Sequence, residues 1–376
     1  MDFADEIIDD HRRQQQARPV AAGNMANETV LAALQRQVVL AAAEAKGEPV
    51  VASESALERL KRSLPANLPQ VSWNDLNVDP RVIGRGGFGQ VHRGNWRGVP
   101  VAVKALHQSS MASRARQELL QECTVLTQLC HPNIVQLLAV CVDDGHLALV
   151  LEFVDSGSLF EALYITERLF SLQDKWHMIR DLISGLQYLH NRPQPLVHRD
   201  IKPQNVLLTM VDGCHLKITD FGLAKLRNRA SQSLSSSVPG AQSAFAGTFC
   251  YAAPEVLRGE LYSERSDMYS LALVAYELLT EQAPYEDIAA VQMQAQVGNK
   301  GVRPAWPREA NDASSSAYVP AAARAIIEQA WTQDPSRRIS AEQMLRRWME
   351  VAQQFGVDLQ QADSPARRAV GVAMLS

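Results

Sequence analysis

The spacing of apolar residues changes several times along the chain, and each change predicts a different kind of element. Between Asn24 and Lys46, Val30, Leu31, Leu34 and Val38 recur at helical spacing, so an amphipathic helix is expected there, stopped by Gly47-Glu48-Pro49. Ser53 is placed to cap a second helix running to Ser63. From Trp73 to Leu106 the pattern becomes short β-prone runs divided by glycines and turn residues, which reads as an antiparallel sheet. Helical spacing returns from Ser113 to Leu129 through Leu119, Val125, Leu126 and Leu129, and His131-Pro132-Asn133 ends it because proline forbids continuation. Two further β-like runs, Ile134 to Val142 and His146 to Val154, precede a mostly helical remainder with a strand-rich insert at 196–220.

This order predicts an α+β protein with two lobes: a small β-rich lobe with one key helix at about 73–152, and a larger, mainly helical lobe at about 153–354. Residues 1–72 read either as a helical regulatory arm, with a partner helix as its natural target, or as a weakly ordered segment, and 355–376 as a flexible tail. Ala230 to Ala246 is biased to Ser, Gln, Gly and Pro without apolar periodicity, the composition of a mobile loop.

Composition narrows the function classes. A chain of 376 residues can bury a sizeable core without staples. Lys plus Arg is 37 against Asp plus Glu 41, so there is no bulk electrostatic footprint for nucleic acid, although Arg346-Arg347 forms a local basic cluster. The five cysteines make no CxxC pair and no zinc spacing, and read as reduced thiols of a cytoplasmic protein, with a nuclear location left open. Met1 to Glu6 is acidic, the wrong sign for a leader, and the apolar stretch from Thr29 to Ala45 is interrupted by Gln35-Arg36-Gln37 and too short to span a bilayer.

Four short runs, in fixed order, carry candidate chemistry. The first is Gly84-Arg85-Gly86-Gly87-Phe88-Gly89-Gln90-Val91. Glycines so spaced also open helices in dinucleotide-binding folds, but here a strand follows and a Gly94-Asn95-Trp96-Arg97-Gly98 turn returns the chain, so they sit in a hairpin whose amides can approach triphosphate oxygens. The second is Val101-Ala102-Val103-Lys104, a strand with Val101 and Val103 on one face and Ala102 and Lys104 on the other. A cation there wants a carboxylate; Glu118 and Glu122 lie one helical turn apart, and Glu122 is preferred because Leu126 and Leu129 follow it on the inward stripe. The third, His198 to Asn205, offers Asp200 to orient an attacking hydroxyl, Lys202 beside a transferring phosphoryl group and Asn205 as a magnesium ligand. The fourth, Asp220-Phe221-Gly222, supplies a second hard-cation ligand 20 residues after Asp200. Together they contain every group that phosphoryl transfer from ATP requires.

With these motifs in this order, the chain resembles the eukaryotic protein kinases over about Asn77 to Met349. That resemblance implies the bilobal kinase fold, ATP and Mg²⁺ as cofactors, and a protein substrate. It extends the ATP-binding set to Ile83, Gly84, Arg85, Gly86, Gly87, Phe88, Gly89, Val91, Ala102, Lys104, Glu122, Leu151, Glu152, Val154 and Leu207. Within that set, Leu151 corresponds to the residue beside the adenine pocket, the Glu152 carbonyl and Val154 amide to the groups that bind the adenine edge, and Val91, Ala102 and Leu207 to the walls around the ring. Leu126, Leu137, His198 and Phe221 correspond to side chains stacked between the lobes. Thr248 to Glu255 looks like the substrate-docking segment, Asp267 like the aspartate that braces the catalytic loop, and Arg338 like the buried partner of Glu255.

Lys202 and Gly247-Thr248 are similar to the serine/threonine kinases; Trp73 to Leu76, Gly94 to Gly98 and Ala330 to Pro335 resemble the tyrosine-kinase-like group, most members of which modify Ser or Thr and some of which also modify Tyr. Two features depart from the family pattern. Leu271-Ala272 replaces the Phe-Gly often found in the bracing helix, and Asp220 to Glu255 is a long interval of 35 residues. The excess falls in a loop where Ser231, Ser233, Ser235, Ser236, Ser237 and Ser243 are either phosphorylation sites, for an upstream kinase or in cis, or parts of a solvated linker. A phosphate there would find a guanidinium in Arg199. The reading from a different class is a scaffold that binds ATP or partners without turnover.

Overall fold

The computed structural model describes residues 56–86, 89–106, 113–143, 145–226, 249–311 and 318–359. The expected helix at 24–46, the serine-rich loop and most of the expected tail lie outside them. The N-terminal lobe contains α1 (Ala56–Ser63), β1 (Gln70–Val71), β2 (Val82–Gly86), β3 (Gly89–Trp96), β4 (Val99–Leu106), α2 (Ser113–Leu126), β5 (Leu137–Asp143) and β6 (His146–Glu152). Its strands form one six-stranded sheet in the order β1-β5-β6-β4-β3-β2. All neighbours are antiparallel except β1 and β5, which run parallel.

Period-two alternation makes β4 a two-faced strand. Val101 and Val103 are buried with Leu76, Ala139, Cys141, Ala148 and Val150 in a small outer core, while Ala102 and Lys104 turn to the opposite face. The glycine run forms the expected hairpin between β2 and β3. Gly89 answers to the sheet there: a Cβ on it would lie 2.0 Å from the carbonyl oxygen of Ala105, whereas one on Gly84 would meet Val91 at an ordinary 3.5 Å. One of the four glycines of that run is therefore required by strand approach rather than by phosphate access.

The helix expected to end at Leu129 stops at Leu126, and Gln128 and Leu129 close a tighter last turn by donating to the carbonyls of Val125 and Leu126. Upstream, the helix expected to end at Ser63 is α1. Leu60, Leu64 and Leu68 are buried in the apolar cluster that also holds Leu119 and Cys123 of α2. The packed body thus starts before Trp73, because a leucine stripe through 57, 60 and 64 continues the apolar face where no β-pattern marks it.

The C-terminal lobe follows with α3 (Leu172–His190), β7 (Leu196–Val197), β8 (Val206–Thr209), β9 (His215–Ile218), β10 (Lys225–Leu226), α4 (Pro254–Leu257), α5 (Glu264–Thr280), α6 (Arg308–Asn311), α7 (Ala321–Ala330) and α8 (Ala341–Gln354). Serines start three of these helices with reciprocal capping boxes: Ser171 with Asp174, Ser263 with Ser266 and Ser340 with Gln343. Helix α5 is buried around nearly its whole circumference, Leu271 and Ala272 included, as expected of an element enclosed by the others. Trp176 of α3 and Trp348 of α8 pack in a tilted pair with centroids 4.2 Å apart, and the Trp348 indole donates to the Trp176 carbonyl.

The lobes are joined where β9 meets the chain after α2. Val135 donates to the Ile218 carbonyl and Ile218 to the Asn133 carbonyl, while the buried Asn133 side chain donates to Leu216. Lower down, Glu255 of α4 takes both arms of the Arg338 guanidinium at 2.6 Å each and a further bond from the Ser266 hydroxyl at 2.8 Å. Both side chains are buried. Arg338→Leu leaves the Glu255 charge uncompensated, and a loss of about 3–5 kcal/mol in urea unfolding is expected; a change within about 1 kcal/mol would refute this reading of the pair.

Candidate active site

Lys104 is buried between the lobes, on the face of β4 that its alternation with Val103 dictates. Its ammonium bonds Glu122 Oε1 of α2 and Asp220 Oδ1 of the fourth motif, each at 2.8 Å. Glu122, which the inward stripe of α2 favours over Glu118, is the carboxylate found here; the Glu118 side chain is outside the described part. Burial opposes the charge on Lys104, but the two carboxylates outweigh it and raise its pKa. Burial likewise opposes the Asp220 charge, and Lys104 overcomes it, holding that carboxyl below its usual range. Glu122 is left with the penalty: burial raises its pKa, which the attraction of Lys104 only partly offsets and the nearness of Asp220 reinforces. The Lys104 charge is thus divided between a buried carboxylate, Glu122, and a half-buried one, Asp220.

The third motif is held from below by Asp267 of α5. Its Oδ2 accepts from the His198 amide at 2.8 Å and from His190 Nε2 at 2.9 Å, and its Oδ1 accepts from the Arg199 amide at 2.9 Å. This grip fixes Arg199 at φ 75°, a left-handed conformation that a side chain disfavours, and Asp220 is similar at φ 64°. His198 Nδ1 accepts from the Asp200 amide at 3.3 Å, so its proton is on Nε2, which donates to the Thr219 carbonyl at 3.0 Å. That ring therefore bridges the residues leading to Asp200 and to Asp220. Its edge meets Phe221 with centroids 4.9 Å apart, and Leu126 and Leu137 are buried in the same core.

Asp200 Oδ2 receives Lys202 Nζ at 2.9 Å and Asn205 Nδ2 at 2.8 Å, and Asn205 also donates to the Asp200 carbonyl at 2.9 Å. Both amide protons of Asn205 are spent on Asp200, leaving its oxygen as the atom to offer a cation. Above this loop, Leu151 is buried, Val91, Ala102, Val154 and Leu207 are half-buried, and Ile83 and Arg85 are exposed. The Glu152 carboxylate is already taken, by Lys217 Nζ at 2.9 Å and by the Gln136 amide, so only its backbone remains for a ligand. Gly87, Phe88, Thr248 and the loop serines lie outside the described residues.

A family model described as "Protein kinase domain" matches residues 78–349. The chain belongs to the protein kinase family. Among curated relatives, it is 37% identical to serine/threonine-protein kinase CTR1 of Arabidopsis thaliana over 273 residues, 72% of this chain and 31% of that protein. It is 32% identical to probable serine/threonine-protein kinase drkC of Dictyostelium discoideum over 278 residues, 74% and 35% of the two chains. With serine/threonine-protein kinase STY17 of Arabidopsis thaliana it shares 27% over 294 residues, 78% and 48%. The match thus spans between about a third and about half of each relative's length. These relatives agree with the serine/threonine, tyrosine-kinase-like assignment drawn from Lys202 and the flanking segments. Among the described residues, no helix is long and apolar enough to cross a membrane.

One buried charged residue of α5 has no motif to mark it. Glu277, fully buried in α5, accepts from the Tyr251 hydroxyl at 2.7 Å and from the Tyr164 hydroxyl at 2.5 Å. It anchors the segment before Ala252-Ala253-Pro254-Glu255 to the helix that carries Asp267, ten residues earlier and so on a different part of α5. Only two tyrosines distant in sequence reveal it. Burial pushes its carboxyl from 4.5 up to about 7, with the two phenols restraining the rise. A carboxyl raised by folding stabilises most below its unfolded pKa, and the contribution fades as pH climbs through the folded one. Between about pH 5 and about pH 8 the wild type is expected to lose about 3 kcal/mol on this account, and Glu277→Gln to show a flatter profile. Parallel pH profiles of unfolding midpoints for the two proteins would remove the assignment.

Proposed function

We propose that this protein is an ATP- and magnesium-dependent protein kinase that transfers the γ-phosphoryl group of ATP to serine and threonine hydroxyls of protein substrates. The observation that carries the reading is the buried ammonium of Lys104 bonded at once to Glu122 and Asp220, beside an aspartate tied to Lys202 and Asn205. Positioning and electrostatics supply most of the catalysis in such transfers, and this cleft is rich in both.

The residues present fit the groups that the family implies. The Asp220 carboxylate and the Asn205 amide oxygen are hard oxygen donors, and the two carboxylates on one ammonium favour an added cation. Held by Asp220 and Asn205, a magnesium ion would supply positive charge against the negative charge of the phosphate groups. Lys104 orients the phosphates from the β4 side, with Glu122 fixing its ammonium. Val91 and Ala102 from the sheet and Leu207 from below bound an apolar slot for the adenine, whose edge the Glu152 carbonyl and Val154 amide address. Asp200 holds Lys202 and Asn205 through Oδ2, which leaves Oδ1 to orient the attacking hydroxyl and receive its proton. Lys202 faces the phosphoryl group in flight. The serine/threonine preference rests on the kinases it resembles and on Lys202.

Arg199 links this chemistry to regulation. Its guanidinium lies 5.2 Å over the Tyr262 ring, and its Nε has no hydrogen-bond partner among the described residues. Burial lowers its pKa, so a phosphate on the 231–248 loop would relieve an unsatisfied cation and raise activity. A scaffold without turnover finds no support, since Lys104, Asp200, Asn205 and Asp220 are all present in bonded positions.

The test is transfer of labelled phosphate from ATP with Mg²⁺ to a generic basic protein, followed by identification of the phosphorylated amino acid. Phosphoserine or phosphothreonine is expected. Asp200→Asn, Lys104→Met and Asp220→Asn should each lower kcat by about 10²–10⁴-fold. Equal labelling by the wild type and all three variants would assign the signal to a contaminant.

A further inference from the structure

Residues 56–73 stand before the part of the chain that matches the kinase family, which begins at residue 78. They are nevertheless built into the N-terminal lobe on the side of α2. Helix α1 packs on both α2 and β5. Leu60, Leu64 and Leu68 are 4%, 7% and 7% exposed, and they join the continuous apolar core that runs through both lobes and includes Leu119 and Cys123 of α2. Cys123 adjoins Glu122 in the chain, and Leu119 is one turn before it. The buried arc of α2 therefore has Glu122 on its inner part and Leu119 and Cys123 in the same cluster as the α1 leucines.

The segment is also fastened at its far end. Leu68 donates to the Pro65 carbonyl at 3.0 Å, the Pro69 carbonyl accepts from Val140, and Gln70 and Val71 pair in parallel with Val140 and Cys141. Beyond them, Asp143 Oδ2 accepts from the Ser72 hydroxyl at 3.0 Å and the Trp73 amide at 2.6 Å, and Trp73 stacks on His146 at 4.2 Å. A short helix of eight residues is marginal alone, so its order comes from these contacts.

We propose that residues 56–73 form a brace for α2, with Leu60, Leu64 and Leu68 as positioning residues that keep Glu122 within reach of Lys104. The proposal rests on the kinase reading for its activity readout. The brace acts through Glu122: it limits the outward swing of α2, and the β1–β5 pairing and the Asp143 clamp fix the brace to the sheet that carries Lys104. Whatever pulls on the chain ahead of Ala56 then acts on the Lys104–Glu122 bond without entering the cleft.

The experiment uses the full chain with Leu64→Ala, Glu122→Gln, the double variant and the conservative Leu64→Met. Leu64→Ala is expected to lower kcat/KM about tenfold at a temperature where its melting curve shows it folded, and Leu64→Met to restore most of it. In the Glu122→Gln background the further loss should vanish, since the bond that the brace protects is already gone. Amides of residues 119–126 should exchange hydrogen faster in Leu64→Ala than in the wild type. Should Leu64→Ala not fold, Leu60→Ala takes its place in the same cycle. Unchanged activity, or a loss of equal size in both backgrounds, would overturn the brace. A wild type without kinase activity would instead strike the proposed function, and the exchange of α2 would still decide the brace.

Discussion

The Lys104 ammonium is shared by carboxylates from two distant stretches of the chain, and it requires three elements to be in register at once. Strand β4 must present the even face of its alternation to the cleft, α2 must turn Glu122 inward, and the chain after β9 must carry Asp220 to within 2.8 Å. A buried cation costs several kcal/mol unless it is well paired. Any arrangement that loses one partner leaves an ill-compensated charge, so the geometry is stiff in all three directions. Glu122 is the partner left with the burial penalty of this sharing, its pKa raised by burial and by the nearness of Asp220.

The frame that holds Asp200 is of another kind. Asp267 spends its two oxygens on three N–H groups from α3 and the catalytic loop, and its own helix is enclosed by apolar neighbours. Backbone torsions that Arg199 would not choose are thereby maintained. The cleft thus joins a lower half fixed by a buried helix to an upper half fixed by an ion triad, and the edge-to-face pair of Phe221 and His198 lies between them.

Much of this was legible in the residues. Alternation in Val101-Ala102-Val103-Lys104 predicts which face of β4 is buried, and the inward stripe of α2 selects Glu122, because both depend on local periodicity. The glycine hairpin was legible for the same reason, although the demand on Gly89 comes from the Ala105 carbonyl across the sheet and has no local signature. Glu277 escaped because its partners, Tyr164 and Tyr251, are 113 and 26 residues away, and a lone glutamate in an apolar helix announces nothing. The strand β1 has no local signature for a related cause: it is two residues long and gains its meaning only from β5. Pairings between remote segments, not the elements themselves, are what the sequence leaves unread.

Consider again the junction at Asn133 to Val135, whose backbone is laced to β9. The chain leaving α2 is pinned there to the lower lobe, whereas the start of α2 at Ser113 is 20 residues from Asn133. Helix α2 is therefore a lever with its fulcrum at the C-terminal end. For a given rotation, displacement grows along its length at about 1.5 Å of arm per residue, so the end nearest Ser113 sweeps furthest and Leu126 hardly moves. Glu122 lies close to the fulcrum, and a modest shift at the distal end arrives at the Lys104 bond geared down. Leverage of this kind converts a large, soft motion outside the cleft into a small and forceful one within it.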